Sequence, residues 1–300
     1  MKSADGRQPH YTPKELAEPI LFLAPLLLFI LIFVLVPVIG TVINSFFRDI
    51  TFLPAKFIFL DNFSQLMRDA QFWASLRFTL LFSLISVPLE VVAGLLFAVL
   101  LNEPLRWRGV IRAAVLIPWA IPTAISARVW ELIYNYNYGL ANYICKKIGV
   151  SVEPINWLGS SWGAFWALVC ADVWKTAPFV AIILLAGLAV IPPQLYRQAK
   201  IDGAHFGQRF FKVTLPILKP VLLVALLFRT IDALRVFDLI YVLTHGGPGG
   251  STTSVSIYGY NYFLGGDFGY GSAVAVVLFA VSFVLSVMYV KAGRFNEGVL

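Results

Sequence analysis

The sequence has few charged residues for its length. Asp, Glu, Lys and Arg make up only 13% of its 300 residues, whereas 59% of them are hydrophobic. A soluble domain of this size could not cover so much apolar surface with so few charges. We therefore expect lipid to be the main solvent of this chain.

Cysteine and histidine are also scarce. The two cysteines, Cys145 and Cys170, are too few for a disulfide framework and form no CxxC motif. The three histidines (His10, His205 and His245) lie in separate segments, so the sequence offers no ligand set with the spacing of a metal site. Neither a metal site nor a membrane-embedded enzyme is predicted.

A phosphate-binding GxxxxGK[ST] motif is absent, and no linker or internal repeat divides the chain. The formal net charge of +7 comes from basic residues that are scattered through the loops between apolar runs. That distribution is typical of membrane topology and anionic lipid contact rather than of nucleic-acid binding. The sequence thus predicts one membrane domain with no nucleic-acid partner and no cofactor of its own.

Six apolar runs meet or approach the roughly 20 residues that a helix needs to cross a bilayer. Each is predicted to be helical, because an unpaired strand could not satisfy its backbone in lipid. Five internal prolines (Pro37, Pro88, Pro118, Pro122 and Pro178) are expected to be tolerated as kinks. The runs cover residues 19–42, 72–101, 112–133, 162–191, 215–243 and 271–290.

The predicted fold is an all-α integral membrane protein. We expect an N-terminal segment at 1–18, a six-helix domain at 19–292 and a C-terminal tail at 293–300. The first run is longer than a signal-peptide core and lacks a cleavage pattern, which predicts an uncleaved span.

Lys and Arg predict the orientation of the chain. With both termini in the cytoplasm, thirteen Lys and Arg residues fall on the inner side: Lys2, Arg7, Lys14, Arg106, Arg108, Arg112, Arg197, Lys200, Arg209, Lys212, Lys219, Lys291 and Arg294. Five lie outside: Arg48, Lys56, Arg68, Lys146 and Lys147. This excess predicts cytoplasmic termini and outward loops at 43–71, 134–161 and 244–270.

A basic, glycine-containing segment separates the fourth and fifth runs. Two prolines at 192–193 should end the fourth span, since proline lacks the amide that a helix needs. We expect a short helix at 195–201, a bend at Gly203 and a second short helix at 208–213. Pro216 would then open the fifth span. We call the segment 192–215 the coupling loop.

The coupling loop carries aromatic and basic side chains together. Phe206, Phe210 and Phe211 would lie on one side, and Arg209 and Lys212 on another. Exposed phenylalanines favour a docking site that a partner protein covers. The basic residues equally suit an amphipathic loop on lipid headgroups. The residues alone leave both interpretations open.

A resemblance favours the docking interpretation. Asp202-Gly203-Ala204, followed after eight residues by Val213-x-Leu215-Pro216, resembles the cytoplasmic signature E-A-A-x-x-D-G-A and I-x-L-P of permease subunits in ATP-binding-cassette importers. Arg197 stands where that family often has Glu. The resemblance implies that the segment is a coupling helix which inserts into an ATPase groove. The residues it assigns to coupling are Arg197, Ala199, Asp202, Gly203, Ala204, Phe206, Gly207, Phe210, Leu215 and Pro216.

Other motifs resemble the carbohydrate-uptake branch of the same family, and most closely its first permease. They are Leu116-Ile117-Pro118, Gly139-Leu140-Ala141-Asn142, Trp174-Lys175-Thr176-Ala177-Pro178-Phe179, Leu185-Ala186-Gly187-Leu188 and Val242-Leu243-Thr244-His245-Gly246-Gly247-Pro248. The resemblance implies a type I permease in a bacterial or archaeal cytoplasmic membrane. It also implies a sugar substrate, a second permease, an extracytoplasmic binding protein and two ATPase subunits that hold ATP and Mg²⁺.

An ion-coupled secondary transporter is the alternative. It would favour repeated halves and interrupted helices at matching positions, and the sequence indicates neither.

Charged residues inside the runs should face protein or water, because a charge at the bilayer centre costs about 2.5–3.5 kcal/mol. In the fifth run Arg229, Asp232, Arg235 and Asp238 recur every three residues, which keeps neighbours on roughly one helix face. They could line a sugar pathway, with Trp174 stacking on a sugar ring, or form salt bridges between two permeases. Lys175 is predicted to pair with Asp172, and Glu90 to be a satisfied interhelical partner.

The loop at 244–270 is the predicted contact with the binding protein. Gly246-Gly247-Pro248-Gly249-Gly250 is expected to form an adaptable turn there. A simple chain reversal is the alternative interpretation of these glycines.

Overall fold

The computed structural model describes the backbone of residues 13–103 and 106–293, and the side chains of 21–103 and 106–292. Most of the two predicted cytoplasmic ends, at 1–18 and 293–300, therefore lies outside the described residues. The helices are α1 (Pro13–Ile30), α2 (Val36–Asn44), α3 (Asp61–Arg68), α4 (Ala70–Asn102), α5 (Arg108–Ala120), α6 (Thr123–Ile133), α7 (Leu140–Lys147), α8 (Ser161–Val190), α9 (Pro193–Ile201), α10 (Phe206–Arg209), α11 (Leu215–Leu234), α12 (Asp238–Leu243), α13 (Val255–Leu264) and α14 (Phe268–Gly293).

Two single turns of π-helix make longer helices from these pieces. Leu31–Leu35 joins α1 to α2, and Phe210–Thr214 joins α10 to α11. The strands β1 (Phe47–Arg48) and β2 (Lys56–Phe57) form a small antiparallel ribbon after the first span.

Five of the helices are long and apolar enough to cross a membrane. They are Leu21–Asn44, Ala70–Asn102, Ser161–Val190, Phe206–Leu234 and Phe268–Ala292. The bent pair of α5 and α6 makes a sixth when the two helices are counted as one span. The prediction of an all-α membrane protein is confirmed, and four of the six predicted runs agree with the observed spans to within a few residues.

The third span differs from the kinked helix that we expected over 112–133. α5 and α6 meet at an angle of 91°. Ile121 is extended (φ −72°, ψ 134°), as residues before a proline tend to be, and Pro122 has no amide with which to continue α5. Proline therefore breaks this span rather than kinking it.

The fifth span is also placed differently from the prediction of 215–243. The helix begins nine residues earlier, at Phe206, and runs without interruption to Leu234. The expected separate helix at 208–213 is therefore the first part of this span, and Pro216 lies inside the helix instead of opening it. The end of the predicted run forms α12, which follows a break at 235–237.

Small residues bring the central helices together. α4 packs along α8, and a Cβ atom added at Gly94 would lie 2.6 Å from the Cβ of Val180. A Cβ atom at Gly187 on α8 would lie 2.7 Å from Leu218 on α11. Close approach of this kind is the usual basis of helix association in membranes. α4, α8 and α11 thus form the centre of the domain.

A tyrosine cluster ties the start of α4 to α13 and α14. The hydroxyl of Tyr258 donates a short hydrogen bond to Asp69, and it lies 3.1 Å from the hydroxyl of Tyr270. Burial raises the pKa of Asp69, but the hydrogen bonds from Tyr258 and from the amide of Gln71 outweigh it and hold the pKa below its usual value. Asp69 therefore stays ionised, and it also caps α4.

Candidate substrate cavity and coupling loop

A cavity of about 500 Å³ lies between the corner in the third span and the break that follows the fifth span. One wall is the corner between α5 and α6 at 119–123, and the other is the break between α11 and α12 at 235–237. Irregular backbone is tolerated at membrane depth only where it is buried in protein or lines a water-filled cavity. Both breaks line the same cavity, whose walls carry charged and polar side chains.

Arg229 lies at the centre of the charged groups beside this cavity. Its Nε atom donates to Oε2 of Glu90 at 2.5 Å, and its other nitrogens lie 3.6 Å from Asp172 and 3.3 Å from Asp232. Arg229 is 5% exposed, and Glu90 is fully buried. Glu90 is thus an interhelical partner as predicted, but it is satisfied through Oε2 only, since its buried Oε1 has no hydrogen-bond partner. One arginine joins α4, α8 and α11.

The remaining predicted pathway residues divide into two groups. Asp232 and Arg235 form a 2.7 Å ion pair at the cavity, and both have exposed side-chain surface. Asp238 also lines the cavity, but it begins α12 and so does not share a helix face with Arg229. Trp174 is outside the cavity lining and packs edge-on against Trp130, with ring centroids 5.7 Å apart.

Lys175 lines the cavity without the predicted ion pair to Asp172. Its Nζ atom donates to the backbone oxygen of Ile121 at 2.5 Å. Asp172 is turned toward Arg229 instead. The prediction was wrong because a spacing of three residues places two side chains near each other but does not decide which partner a neighbouring helix supplies.

An aromatic series begins at the cavity lining, and it was not predicted from the sequence. Phe237 lines the cavity and stacks on Tyr241, with centroids 5.3 Å apart and ring planes 13° from parallel. Tyr260 packs edge-on against both rings, and His245 lies against Tyr241. The spacing of four residues from Phe237 to Tyr241 and His245 was the available signal. We call these four residues the aromatic ladder.

The coupling loop owes its bend to the way α9 ends. The amide of Gly203 donates to the oxygen of Lys200, and the amide of Ala204 to that of Ala199. This pair of bonds is a Schellman motif, which requires a left-handed residue, and Gly203 has φ +77°. A side chain at Gly203 would meet no atom within 4 Å. The glycine is therefore needed for its backbone angle and not for close packing within this chain.

The second half of the loop starts with a capping box. The amide of Gln208 donates to Nδ1 of His205, and the amide of His205 donates to Oε1 of Gln208. Of the residues assigned to coupling, Arg197, Asp202, Gly203, Phe206 and Pro216 are exposed, and Ala199, Ala204, Gly207, Phe210 and Leu215 are half-buried.

Three large apolar side chains on the loop are more than 60% exposed. Ile201 is 85% exposed, Phe206 is 64% exposed and Phe211 is 66% exposed. Ile201 was missed, because it occupies the last position of α9 and has no distinctive neighbour in the sequence. The hydroxyl of Tyr196 on α9 lies 3.0 Å from that of Thr214, which fixes the loop to the fifth span.

The glycine turn near the other end of the fifth span is well fixed. Thr252 donates to the oxygen of Gly247 at 2.6 Å, and Thr253 donates to that of Gly246 at 3.2 Å. Gly246 is buried, Gly247 and Pro248 are half-buried, and Gly249 and Gly250 are exposed. The turn is therefore held by the threonine side chains that follow it. Only its last two glycines, Gly249 and Gly250, are exposed.

Comparison with known proteins extends these observations to a family. The family described as "Binding-protein-dependent transport system inner membrane component" matches residues 90–293. The trehalose/maltose transport system permease protein MalF of Thermococcus litoralis is 55% identical over 278 residues, which cover 92% of this chain and 94% of that protein. The trehalose transport system permease protein SugA of Mycobacterium tuberculosis is 41% identical over 78% of this chain and 74% of its own length.

A solved structure agrees with these relatives. The crystal structure of a bacterial alginate ABC transporter in complex with an alginate pentasaccharide-bound periplasmic protein includes a chain that matches with a TM-score of 0.81 and 25% identity, over 94% of this chain and 95% of that one. The predicted type I permease fold is confirmed, and so is the choice of a permease over an ion-coupled transporter. The chain belongs to the family of inner-membrane components of binding-protein-dependent transport systems.

Proposed function

We propose that this chain is the sugar-conducting permease of an ATP-driven importer, and that a di- or oligosaccharide passes through the cavity. The observation that carries the proposal is the cavity itself, because acidic and basic side chains line it together with Phe237, the first ring of the aromatic ladder. Carboxylates and guanidinium groups hydrogen-bond hydroxyls, while aromatic faces pack against the apolar faces of sugar rings. Relatives named for trehalose and maltose transport support the same substrate class.

In this proposal the coupling loop docks on an ATPase subunit in the cytoplasm. The support is the exposure of Ile201, Phe206 and Phe211 on a loop whose backbone is fixed by its own hydrogen bonds. ATP and Mg²⁺ bind to two such ATPase subunits. The excess of Lys and Arg on the loop side of the spans supports cytoplasmic termini.

A second, homologous permease completes the membrane part of the complex. Its support is the first span, since no residue of Leu21–Asn44 is buried by the rest of this chain. The exposed glycines of the 246–250 turn and the outer end of the aromatic ladder would face an extracytoplasmic sugar-binding protein. Membrane lipid covers the remaining apolar surface.

Uptake by the whole complex tests this function. The chain should be co-expressed with the second permease, the ATPase and the binding protein, reconstituted in proteoliposomes, and assayed with labelled trehalose, maltose, lactose and an amino acid as the negative control. We expect ATP- and binding-protein-dependent uptake of at least one sugar. Uptake without ATP, or of the amino acid alone, would refute the proposal.

A further inference from the structure

The corner between α5 and α6 needs a partner from elsewhere in the fold. The last carbonyl groups of a helix have no amide partner within that helix, and Ile121 is the C-cap residue of α5. The oxygen of Ile121 is therefore free at the point where the chain turns by 91°. Ile121 is one of the residues that line the cavity.

Lys175 supplies the partner from the middle of α8. Its ammonium donates to the oxygen of Ile121 at 2.5 Å, across 54 residues of sequence, and only 8% of the residue is exposed. A cation at the C-terminal end of a helix is favourably placed with respect to the helix dipole. The bond thus satisfies the corner and gives the buried ammonium a partner.

Other contacts hold α5 and α6 separately, but they do not fix the corner. Trp119 near the end of α5 stacks on Phe179 of α8, with centroids 5.6 Å apart. α6 packs against α12, the helix that contains Tyr241 of the aromatic ladder. The bond from Lys175 lies between these two contacts, where the cavity wall is made.

We propose that Lys175 is a positioning residue: its ammonium holds the α5–α6 corner against α8 and so sets the shape of the cavity that the substrate enters. It acts through the backbone of Ile121 and not through substrate contact. The hydrogen bond is the essential feature, because the positive charge alone could be balanced by Asp172 or Asp232 without fixing the corner.

Three substitutions separate the hydrogen bond from the charge. Lys175→Met keeps the length of the side chain and removes both features, Lys175→Gln keeps a donor without the charge, and Lys175→Arg keeps both. Arg128→Met is the matched control, because it removes a cation from α6 whose ion pair with Glu131 is exposed.

Amide hydrogen exchange of the assembled complex in lipid nanodiscs measures how well the backbone around the corner is protected. We expect the peptide covering 119–133 to exchange about tenfold faster in Lys175→Met, as loss of one hydrogen bond implies, and at the wild-type rate in Lys175→Arg and in the control. Lys175→Gln should restore most of the protection. An unchanged rate in Lys175→Met, or equal acceleration in Met and Gln, would overturn the proposal. If Lys175→Met does not assemble, the comparison of Gln with Arg decides in the same way.

A transport assay adds a second readout, which rests on the proposed function. With trehalose or maltose, whichever the wild type imports, we expect KM to rise by about tenfold in Lys175→Met and kcat to stay within about twofold. A fall in kcat at constant KM would assign Lys175 to the transport step and overturn the positioning role. If the wild-type complex imports neither sugar, the proposed function fails, while the exchange experiment still decides the role of Lys175.

Discussion

The cavity and the coupling loop are built in opposite ways. The charges at the cavity come from distant parts of the chain, as the pair of Glu90 and Arg229 across 139 residues illustrates. The bends of the loop are fixed by bonds between residues no more than five apart, in the Schellman motif at Gly203 and the capping box at His205. One longer bond, between Tyr196 and Thr214, ties the loop to the fifth span. The cavity hides its charges inside the domain, whereas the loop exposes apolar side chains such as Ile201.

This difference predicts that the cavity charges determine the stability of the domain, whereas the loop determines its coupling to the ATPase. Removing a buried charge at the cavity should unfold or disassemble the domain, because the opposite charges that remain would be buried without a partner. Damage to the loop should leave the domain folded, since the loop contributes little buried surface to it. Substitutions in each region, with controls of the same chemistry elsewhere, test that separation.

The largest effect is expected from Arg229→Met. This change leaves Glu90 and Asp172 buried without their cation, and breaking a buried pair in this way costs about 3–5 kcal/mol. The yield of assembled complex and its thermal midpoint, measured by fluorescence-detected size exclusion, should fall sharply. Adding Glu90→Gln should recover part of the loss. A wild-type midpoint for Arg229→Met would contradict the view that this cluster stabilises the domain.

Gly203→Ala should have a smaller effect, confined to coupling. A residue with a Cβ atom at φ +77° is strained by about 1–2 kcal/mol, so α9 should lose its fixed end. We expect reduced ATPase retention and reduced uptake with a normal yield of permease. Gly149→Ala is the matched control, because Gly149 has φ +76°, also has open space around it, and follows α7. Equal losses from both changes would show that strain alone, and not the coupling loop, is responsible.

Asp232→Asn tests whether the exposed edge of the charge cluster contacts substrate. The amide fits the same space, and Arg229 keeps Glu90 and Asp172, so the complex should assemble. Loss of a charged acceptor worth about 1.5 kcal/mol should raise KM for the sugar roughly tenfold. Loss of assembled complex with normal specific uptake in the remainder would instead favour a purely structural ion pair with Arg235.

The smallest effect is expected from Tyr196→Phe. It removes the bond between the hydroxyls of Tyr196 and Thr214, which is worth about 1 kcal/mol, and should lower the ratio of sugar imported to ATP hydrolysed. Tyr289→Phe removes a bond of the same length to Thr230, away from the loop, and should leave that ratio unchanged. The same ratio in both variants would indicate that the link between α9 and the fifth span does not transmit force.

The sequence by itself determined the features that depend on local chemistry. Uninterrupted apolar runs predict spans, because a backbone in lipid must pair within its own helix. The glycine at 203 predicts the end of α9, because few other residues accept a positive φ. These rules need only near neighbours, so four spans and the bend of the coupling loop were predicted from the sequence to within a few residues.

Only the tertiary structure decided how the site is assembled. Pro122 breaks the third span, but the partner of the Ile121 oxygen at the 91° corner is Lys175 of α8, 54 residues away in sequence. The same lysine is three residues from Asp172, yet Asp172 turns to Arg229 because the packing of α4, α8 and α11 brings that arginine to it. Partners of buried charges are chosen by distance in space and by desolvation, and neither quantity can be read from spacing along the chain.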